Sequence, residues 1–162
     1  MKRLLASLLM GSALLASPVM AEESLRVQDP WVRAAPPVAQ TQAGYMTIRN
    51  PGSKEKSLVG ATSPLFSKVE LHETIQHEGK SQMRARPSVA IKPGAKIELA
   101  PGGLHLMLIG PHKPLHPNDK VHITLKFADG SELPVTAEVR AASGEKSGAQ
   151  TDGQHQHGHG QH

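Results

Sequence analysis

Four residues that can bind soft metal ions occur at defined spacing in the middle of the chain: His72, Met83, His105 and Met107. His105 and Met107 are two residues apart in a strand-like run, so they project from the same face of that strand. Imidazole nitrogen and thioether sulfur are both neutral donors. Thioether sulfur suits Cu(I) and is a poor ligand for Zn²⁺, Mg²⁺ or Ca²⁺. Two histidines and two methionines would make a Cu(I) site if the two segments meet.

Each of these residues also has a simpler interpretation. Methionine is an adaptable filler of protein cores, and histidine is common on surfaces. We expect His72 to end a strand just before a polar loop over residues 76–82, with Met83 beginning the return strand. Such a hairpin can bring His72 and Met83 together, but periodicity alone does not establish that it meets the run around His105.

Short runs of alternating apolar and polar residues predict the strands that must position these side chains. In the run from Leu104 to Ile109 the leucines form the expected core face, so the His105/Met107 face should look outward or toward a rim. The 13 prolines and 15 glycines punctuate the chain throughout. We therefore predict an all-β sandwich or barrel that forms a single domain over residues 22–142. The predicted strands lie in 45–49, 68–72, 96–99, 104–109, 121–128 and 133–139.

The last two of these runs predict a hairpin. Asp129-Gly130 between them is a strong tight-turn signal, and we expect positive φ at both residues. Pro134 on the return strand favours an edge position, because proline cannot donate a ladder hydrogen bond.

Composition excludes several classes of function. The 162 residues include 18 Lys+Arg, 14 Asp+Glu, only 2% aromatics and no cysteine. A base-stacking nucleic-acid surface is poorly supported, and no basic cluster marks a phosphate-binding face. The lack of cysteine excludes disulfides, a thiol nucleophile and a blue-copper centre. We see no nucleophile–base motif around Ser63, Ser67 or Ser81, so we do not expect an enzyme.

Residues 1–21 read as a secretory signal peptide. Lys2 and Arg3 precede a short apolar stretch, and Val19-Met20-Ala21 supplies a cleavage site. The mature chain should begin at Glu22, reside in the periplasm and contain no membrane span. Removing Lys2 and Arg3 leaves 16 basic and 14 acidic residues, so the net charge falls from +4 to +2.

The last twenty residues differ from the rest. Residues 143–162 are rich in Gly, Ser, Gln, Lys and His and show no apolar periodicity, which predicts a disordered tail. Clustered imidazoles bind Cu(II), and the tail has no methionine, so we expect Cu(II) chemistry there rather than Cu(I). A weakly binding solvated segment is the alternative. The tail histidines are His155, His157, His159 and His162.

The spacing H-x10-M-x21-H-x-M from His72 to Met107 resembles the signature of the PCuAC family of periplasmic copper(I) chaperones. The context matches as well, over roughly residues 27–140. The matching stretches are Asp29-Pro30-Trp31-Val32-Arg33, Val69 to Glu73, Met83-Arg84-Ala85-Arg86-Pro87, Pro101-Gly102-Gly103-Leu104-His105-Leu106-Met107-Leu108 and Phe127-Ala128-Asp129-Gly130.

The resemblance implies a cupredoxin-like β-sandwich that binds one Cu(I) through His72, Met83, His105 and Met107. It also implies delivery of copper to the Cu(A) centre of cytochrome c oxidase or to Sco-type proteins, and a Cu(II)-binding role for the tail. We expect a monomer. A general metal buffer that works mainly through the tail is the alternative function.

Two positions depart from the family pattern. Glu73 and Ala85 stand where family members often have methionine, which puts auxiliary thioether contacts in doubt. Among the remaining histidines, His77 is the best reserve ligand. We expect His112, His116 and His122 to be ordinary surface residues.

Overall fold

The computed structural model describes residues 24–141, which form ten β-strands. The signal-peptide prediction for residues 1–21 and the tail prediction for residues 143–162 concern parts of the chain outside the described residues. Among the described residues no helix is long and apolar enough to cross a membrane. The strands are β1 Arg26–Arg33, β2 Thr41–Arg49, β3 Lys56–Thr62, β4 Phe66–His77, β5 Lys80–Ala85, β6 Val89–Ile91, β7 Lys96–Leu99, β8 Leu104–Pro111, β9 Lys120–Phe127 and β10 Glu132–Arg140.

All ten strands belong to one hydrogen-bonded sheet, in the order β5-β4-β8-β2-β1-β10-β9-β3-β6, with β7 also on β2. Every pair is antiparallel except β1 with β10. On the side away from β1, β2 pairs with two strands: residues 41–44 pair with β8, and residues 46–49 pair with β7. The prediction of an all-β fold is confirmed.

The sheet curls around a single apolar core. Leu106 and Leu108 of β8 are fully buried in the same cluster as Ile123 and Leu125 of β9 and Leu58 of β3. The predicted alternation along β8 is therefore confirmed, because its even-numbered leucines face this core. Burial of such side chains contributes about 1.5–3 kcal/mol each and fixes which face of β8 is left for His105 and Met107.

Asn50 directly follows β2 and stabilises the turn after it. Its side chain is buried and donates to the carbonyl oxygens of Lys54, at 2.7 Å, and Ile91, at 2.9 Å. Its own oxygen accepts from the Gly52 N–H. All these polar atoms are satisfied, so the burial of this amide costs little and connects β2 to β6.

The β9–β10 hairpin forms as predicted, but its turn type was predicted wrongly. Gly130 has φ +82°, whereas Asp129 does not have positive φ. The Gly130 N–H donates to Phe127 O, and the Phe127 N–H donates to Ser131 O, which is a type I turn followed by a glycine bulge. Pro134 lies where β10 pairs with β9 alone, because β1 contacts β10 only from Glu138 onward. The expected edge environment of Pro134 is thus confirmed locally.

Gly110 is required where β8 passes β4. It has φ +64°, and a Cβ there would lie 2.8 Å from Ser67 Oγ and 3.1 Å from Ser67 Cβ. Gly130 shares the positive φ, but a Cβ there would meet nothing within 4 Å. A side chain at Gly130 would therefore cause backbone strain alone, whereas one at Gly110 would cause both backbone strain and steric overlap.

We predict that Gly110→Ala lowers the free energy of unfolding by about 2–4 kcal/mol, since backbone strain and overpacking add. Gly130→Ala, with strain alone, should cost about 1–2 kcal/mol. Urea denaturation of both variants provides the comparison, and equal losses would contradict the close approach of Ser67 and Gly110.

Candidate metal centre

The register between β4 and β8 brings two of the predicted ligands face to face. His72 is the direct partner of His105, and Glu70 is the direct partner of Met107. Directly paired residues project from the same face of an antiparallel sheet, so all four side chains share one face. The neighbouring Leu71 faces the core on the other side. The two segments that periodicity alone could not connect are adjacent strands.

Met83 reaches this face through the β4–β5 hairpin. It pairs with Thr74, which is two residues from His72 and on the same face. The predicted loop over 76–82 is wrong: β4 continues to His77, and only Glu78 and Gly79 form the turn. Both have positive φ, 50° and 74°, as a type I′ turn requires.

A cavity of about 220 Å³ lies on this face, and three of the four predicted ligands line it. Met83, His105 and Met107 form its wall together with Arg33, Gln42 and Tyr45. The His105/Met107 face was expected to look outward or toward a rim, and the first of these is wrong for His105, which is only 6% exposed. Met83 is 59% exposed. The site therefore has a buried side at His105 and an open side at Met83.

His105 has its ring orientation fixed by the backbone. Its Nδ1 lies 3.0 Å from the carbonyl oxygen of Gly103. A carbonyl can only accept, so Nδ1 carries the proton and Nε2 of the neutral ring carries the lone pair. A backbone partner of this kind is typical of metal-binding histidines and leaves the second nitrogen available as a ligand.

His72 has the opposite arrangement. Its Nε2 donates to the Glu70 carboxylate at 3.0 Å, and its Nδ1 is buried without a hydrogen-bond partner. Two hydrogen bonds hold the pKa of Glu70 below its usual range, the larger effect coming from Lys68 and the smaller from His72. The carboxylate is therefore ionised at neutral pH and accepts from Nε2, which leaves the Nδ1 lone pair as the unused donor.

The separation of the two imidazoles suits a shared ion. Their ring centres are 6.1 Å apart, at an interplanar angle of 45°. Metal–nitrogen bonds of about 2 Å place two ring centres that share one ion roughly 5–6 Å apart. Because the buried Nδ1 of His72 has no protein partner, a bound ion would remove the cost of burying that nitrogen unpaired.

The cavity wall carries no carboxylate and one cation, Arg33. The Arg33 guanidinium lies 5.8 Å from the centre of the Tyr45 ring, and Tyr45 in turn lies 4.6 Å from Trp31. Within residues 24–141 there is no cluster of three or more His, Asp or Glu that could hold a metal. The Glu70 carboxylate on the same face is paired with Lys68 and His72. The neutral imidazole and thioether donors favour a soft ion over a hard divalent one.

The remaining histidines lie away from this face. His77 faces the side opposite to His72, at the tip of the hairpin, so it does not act as a reserve ligand in this arrangement. His112, His116 and His122 are exposed, as expected. Sequence reasoning missed one contact, because His112 Nε2 lies 3.3 Å from Ser67 Oγ. His112 Nδ1 contacts the Pro64 carbonyl rather than a carboxylate, so this exposed pair lacks the acid of a catalytic triad.

The two departures from the family pattern fall on different faces. Residue 85 pairs directly with His72, so a methionine there would stand on the site face. Residue 73 follows His72 and projects from the opposite side, where Glu73 forms an ion pair with Arg86 at 3.2 Å. Only the Ala85 departure therefore removes a sulfur from the neighbourhood of the candidate ligands.

Comparison with known proteins places the chain in a family. Residues 25–139 match the family described as "Putative lipoprotein LpqE-like". The chain belongs to the LpqE-like family. A relative in Leifsonia xyli subsp. xyli (strain CTCB07), named "Putative lipoprotein Lxx21020", is 37% identical over 123 residues, which are 75% of this chain and 73% of that protein.

Solved structures confirm the resemblance to PCuAC domains and with it the cupredoxin-like fold. The Cu(I) form of DR1885 from Deinococcus radiodurans is 32% identical, with a TM-score of 0.58 over 78% of this chain and 83% of its own. The apo PCuAC domain of PmoF1 is 26% identical, with a TM-score of 0.63 over 75% and 98%. The copper-bound PCuAC domain of PmoF2 has the same TM-score at 24% identity, which speaks for the fold alone.

We predict that the two site histidines of the metal-free protein adopt opposite neutral tautomers, because their hydrogen-bond partners differ. His105 should be protonated at Nδ1 and His72 at Nε2. Long-range ¹H–¹⁵N correlation spectra of the side chains at pH 8 distinguish the two forms. The same tautomer at both rings would contradict the hydrogen bonds to Gly103 or Glu70.

Proposed function

We propose that this protein is a copper carrier that holds one Cu(I) ion with His72, Met83, His105 and Met107 and releases it to another protein. The observation that carries the proposal is the strand register that gathers these four side chains on one face of β5, β4 and β8. The donor set, two imidazoles and two thioethers, matches the preference of Cu(I). A structural relative that binds Cu(I), DR1885 from Deinococcus radiodurans, supports the same assignment.

The uneven exposure of the site suits a carrier better than a permanent metal centre. His105 is anchored by Gly103 and covered, so it provides a fixed ligand. Met83 is largely exposed on an edge strand and can give way to an incoming ligand. Thioethers bind without losing a proton, so their exchange moves no charge other than the ion itself. Binding and release of Cu(I) by these ligands require neither a nucleophile nor an electron-transfer cysteine. We therefore propose a carrier and not an enzyme.

The recipient we propose is the Cu(A)-bearing subunit of cytochrome c oxidase or a Sco-type protein, as the PCuAC resemblance implies. Delivery there requires export, and we propose that residues 1–21 direct the chain to the periplasm. Relatives are named lipoproteins. The route that we propose is export by a cleaved signal peptide.

The four histidines of the last eight residues favour a second, Cu(II)-binding role for the tail: His155, His157, His159 and His162. A tethered segment of this length reaches its own domain at a high effective concentration and could collect copper near the core site. The alternative function, a general metal buffer, would depend on these residues and not on the methionines.

Replacing Met83 and Met107 by leucine separates these functions, since leucine keeps volume but removes the sulfur. We predict that each single variant weakens Cu(I) binding at least roughly 10–100-fold. Loss of a group that only orients a metal ligand already costs that much affinity, and these variants remove a proposed ligand itself. Competition with a chromogenic Cu(I) chelator measures this effect. Met46, buried in the core away from the site, provides the control Met46→Leu, which should bind Cu(I) normally.

Deleting residues 143–162 should reduce the Cu(II) stoichiometry while one Cu(I) per chain is still bound. If the tail deletion abolished Cu(I) binding and the methionine variants did not affect it, the metal-buffer function would replace the carrier.

A further inference from the structure

β5 is the open edge of the sheet beside the candidate metal centre. It pairs with β4 alone, and no other strand among residues 24–141 covers its second edge. All six of its side chains are exposed. An uncovered strand of this length presents unpaired N–H and C=O groups that can bind another extended chain.

The outward backbone groups can be assigned from the ladder. The Arg86 N–H donates to Leu71 O at 2.8 Å, so these residues form a hydrogen-bonded pair. Hydrogen-bonded and non-hydrogen-bonded pairs alternate along an antiparallel ladder. The N–H and C=O groups of the even-numbered residues of β5 therefore point toward β4. Those of Ser81, Met83 and Ala85 point outward.

The same three residues carry their side chains on the site face, because Met83 shares that face with His72. A strand added antiparallel to β5 would thus form a hydrogen-bonded pair with Met83 itself. The residue opposite Met83 would have its Cα about 5.5 Å from the Met83 Cα and its side chain beside the Met83 sulfur.

Charge on the other face of β5 indicates what that strand contains. Lys80 and Arg84 point there, and β5 has no acidic residue. Within the described part of the chain neither cation forms an ion pair, whereas neighbouring Arg86 is paired with Glu73. A carboxylate on the incoming strand, next to the residue opposite Met83, would lie across from Arg84.

We propose that β5 is the docking edge for the protein that exchanges copper with this carrier. The docked segment is an extended strand with a methionine opposite Met83 and acidic residues beside it. In the exchange, one Cu–S bond to Met83 breaks as one Cu–S bond to the partner's methionine forms. Copper stays Cu(I), and no proton or electron moves. This inference rests on the proposed copper-carrier function.

A capped peptide, Thr-Val-Glu-Met-Glu-Val-Thr, serves as the probe, titrated into the Cu(I)-loaded, ¹⁵N-labelled full chain. We expect the backbone amide signals of Ser81, Met83 and Ala85 to shift the most. A peptide with lysine in place of both glutamates should bind more weakly, because it faces Arg84 with a like charge. Shifts centred elsewhere, or equal binding of the lysine peptide, would overturn the proposal. The latter result would leave Lys80 and Arg84 as charges that only prevent edge-to-edge association.

Matched changes test the outward hydrogen bonds directly. Ser81→Pro removes an outward N–H and should weaken peptide binding at least about fivefold, whereas Ser81→Ala should not. N-methylation of the peptide's methionine, whose N–H faces β5, should also weaken binding. N-methylation of the adjacent glutamate, whose N–H points away, should not. This second pair leaves the protein unchanged, so a folding defect cannot imitate the result. Equal binding within both pairs would contradict strand addition.

Chelator competition on the same samples distinguishes failure of the docking edge from failure of Cu(I) binding. If wild type and Ser81→Pro hold Cu(I) equally while the peptide fails to bind at β5, the docking edge is wrong and the copper function stands. If wild type does not hold Cu(I), the proposed function itself fails.

Discussion

The register between β4 and β8 is the constraint on which the site depends. Side chains alternate between the two faces of a strand, so a slip by one residue would turn His105 and Met107 into the core and Leu106 toward the cavity. The buried leucines of β8 oppose such a slip, since exposing even one costs about 1.5–3 kcal/mol. Packing of the apolar core against one face of β8 thus fixes the position of His105 and Met107 on the opposite face.

Each proposed ligand gains a different property from the strand that carries it. His105 lies on an interior strand and is oriented by the Gly103 carbonyl, whereas Met83 lies on a two-residue-turn hairpin at the sheet edge. A carrier must bind its ion tightly enough to protect it and loosely enough to pass it on. The oriented imidazoles meet the first requirement, tight binding, and the exposed thioether of Met83 meets the second, ready release. The two requirements therefore fall on separate strands.

Sequence patterns predicted the β class, six of the strands, the core face of β8 and the shared face of His105 and Met107, because alternation at period two is local. The β4–β5 turn was missed because Glu78-Gly79 is not among the usual hairpin pairs, and its positive φ values become visible only in the structure. The burial of His105 was also missed, since the Tyr45 ring, whose centre lies 6.5 Å from that of His105, comes from a strand distant in sequence. Likewise, only the pairing of β4 with β5 shows that residue 85 lies on the site face and residue 73 does not.

X-ray absorption spectroscopy of the chain from Glu22 to His162, loaded with one equivalent of Cu(I), counts the atoms bound to copper. Met1, Met10 and Met20 precede this segment and the tail contains no methionine, so sulfur neighbours can come only from the folded domain. We predict two sulfur and two nitrogen neighbours, with one sulfur lost in Met83→Leu and one in Met107→Leu. A copper shell of nitrogen and oxygen alone would contradict it.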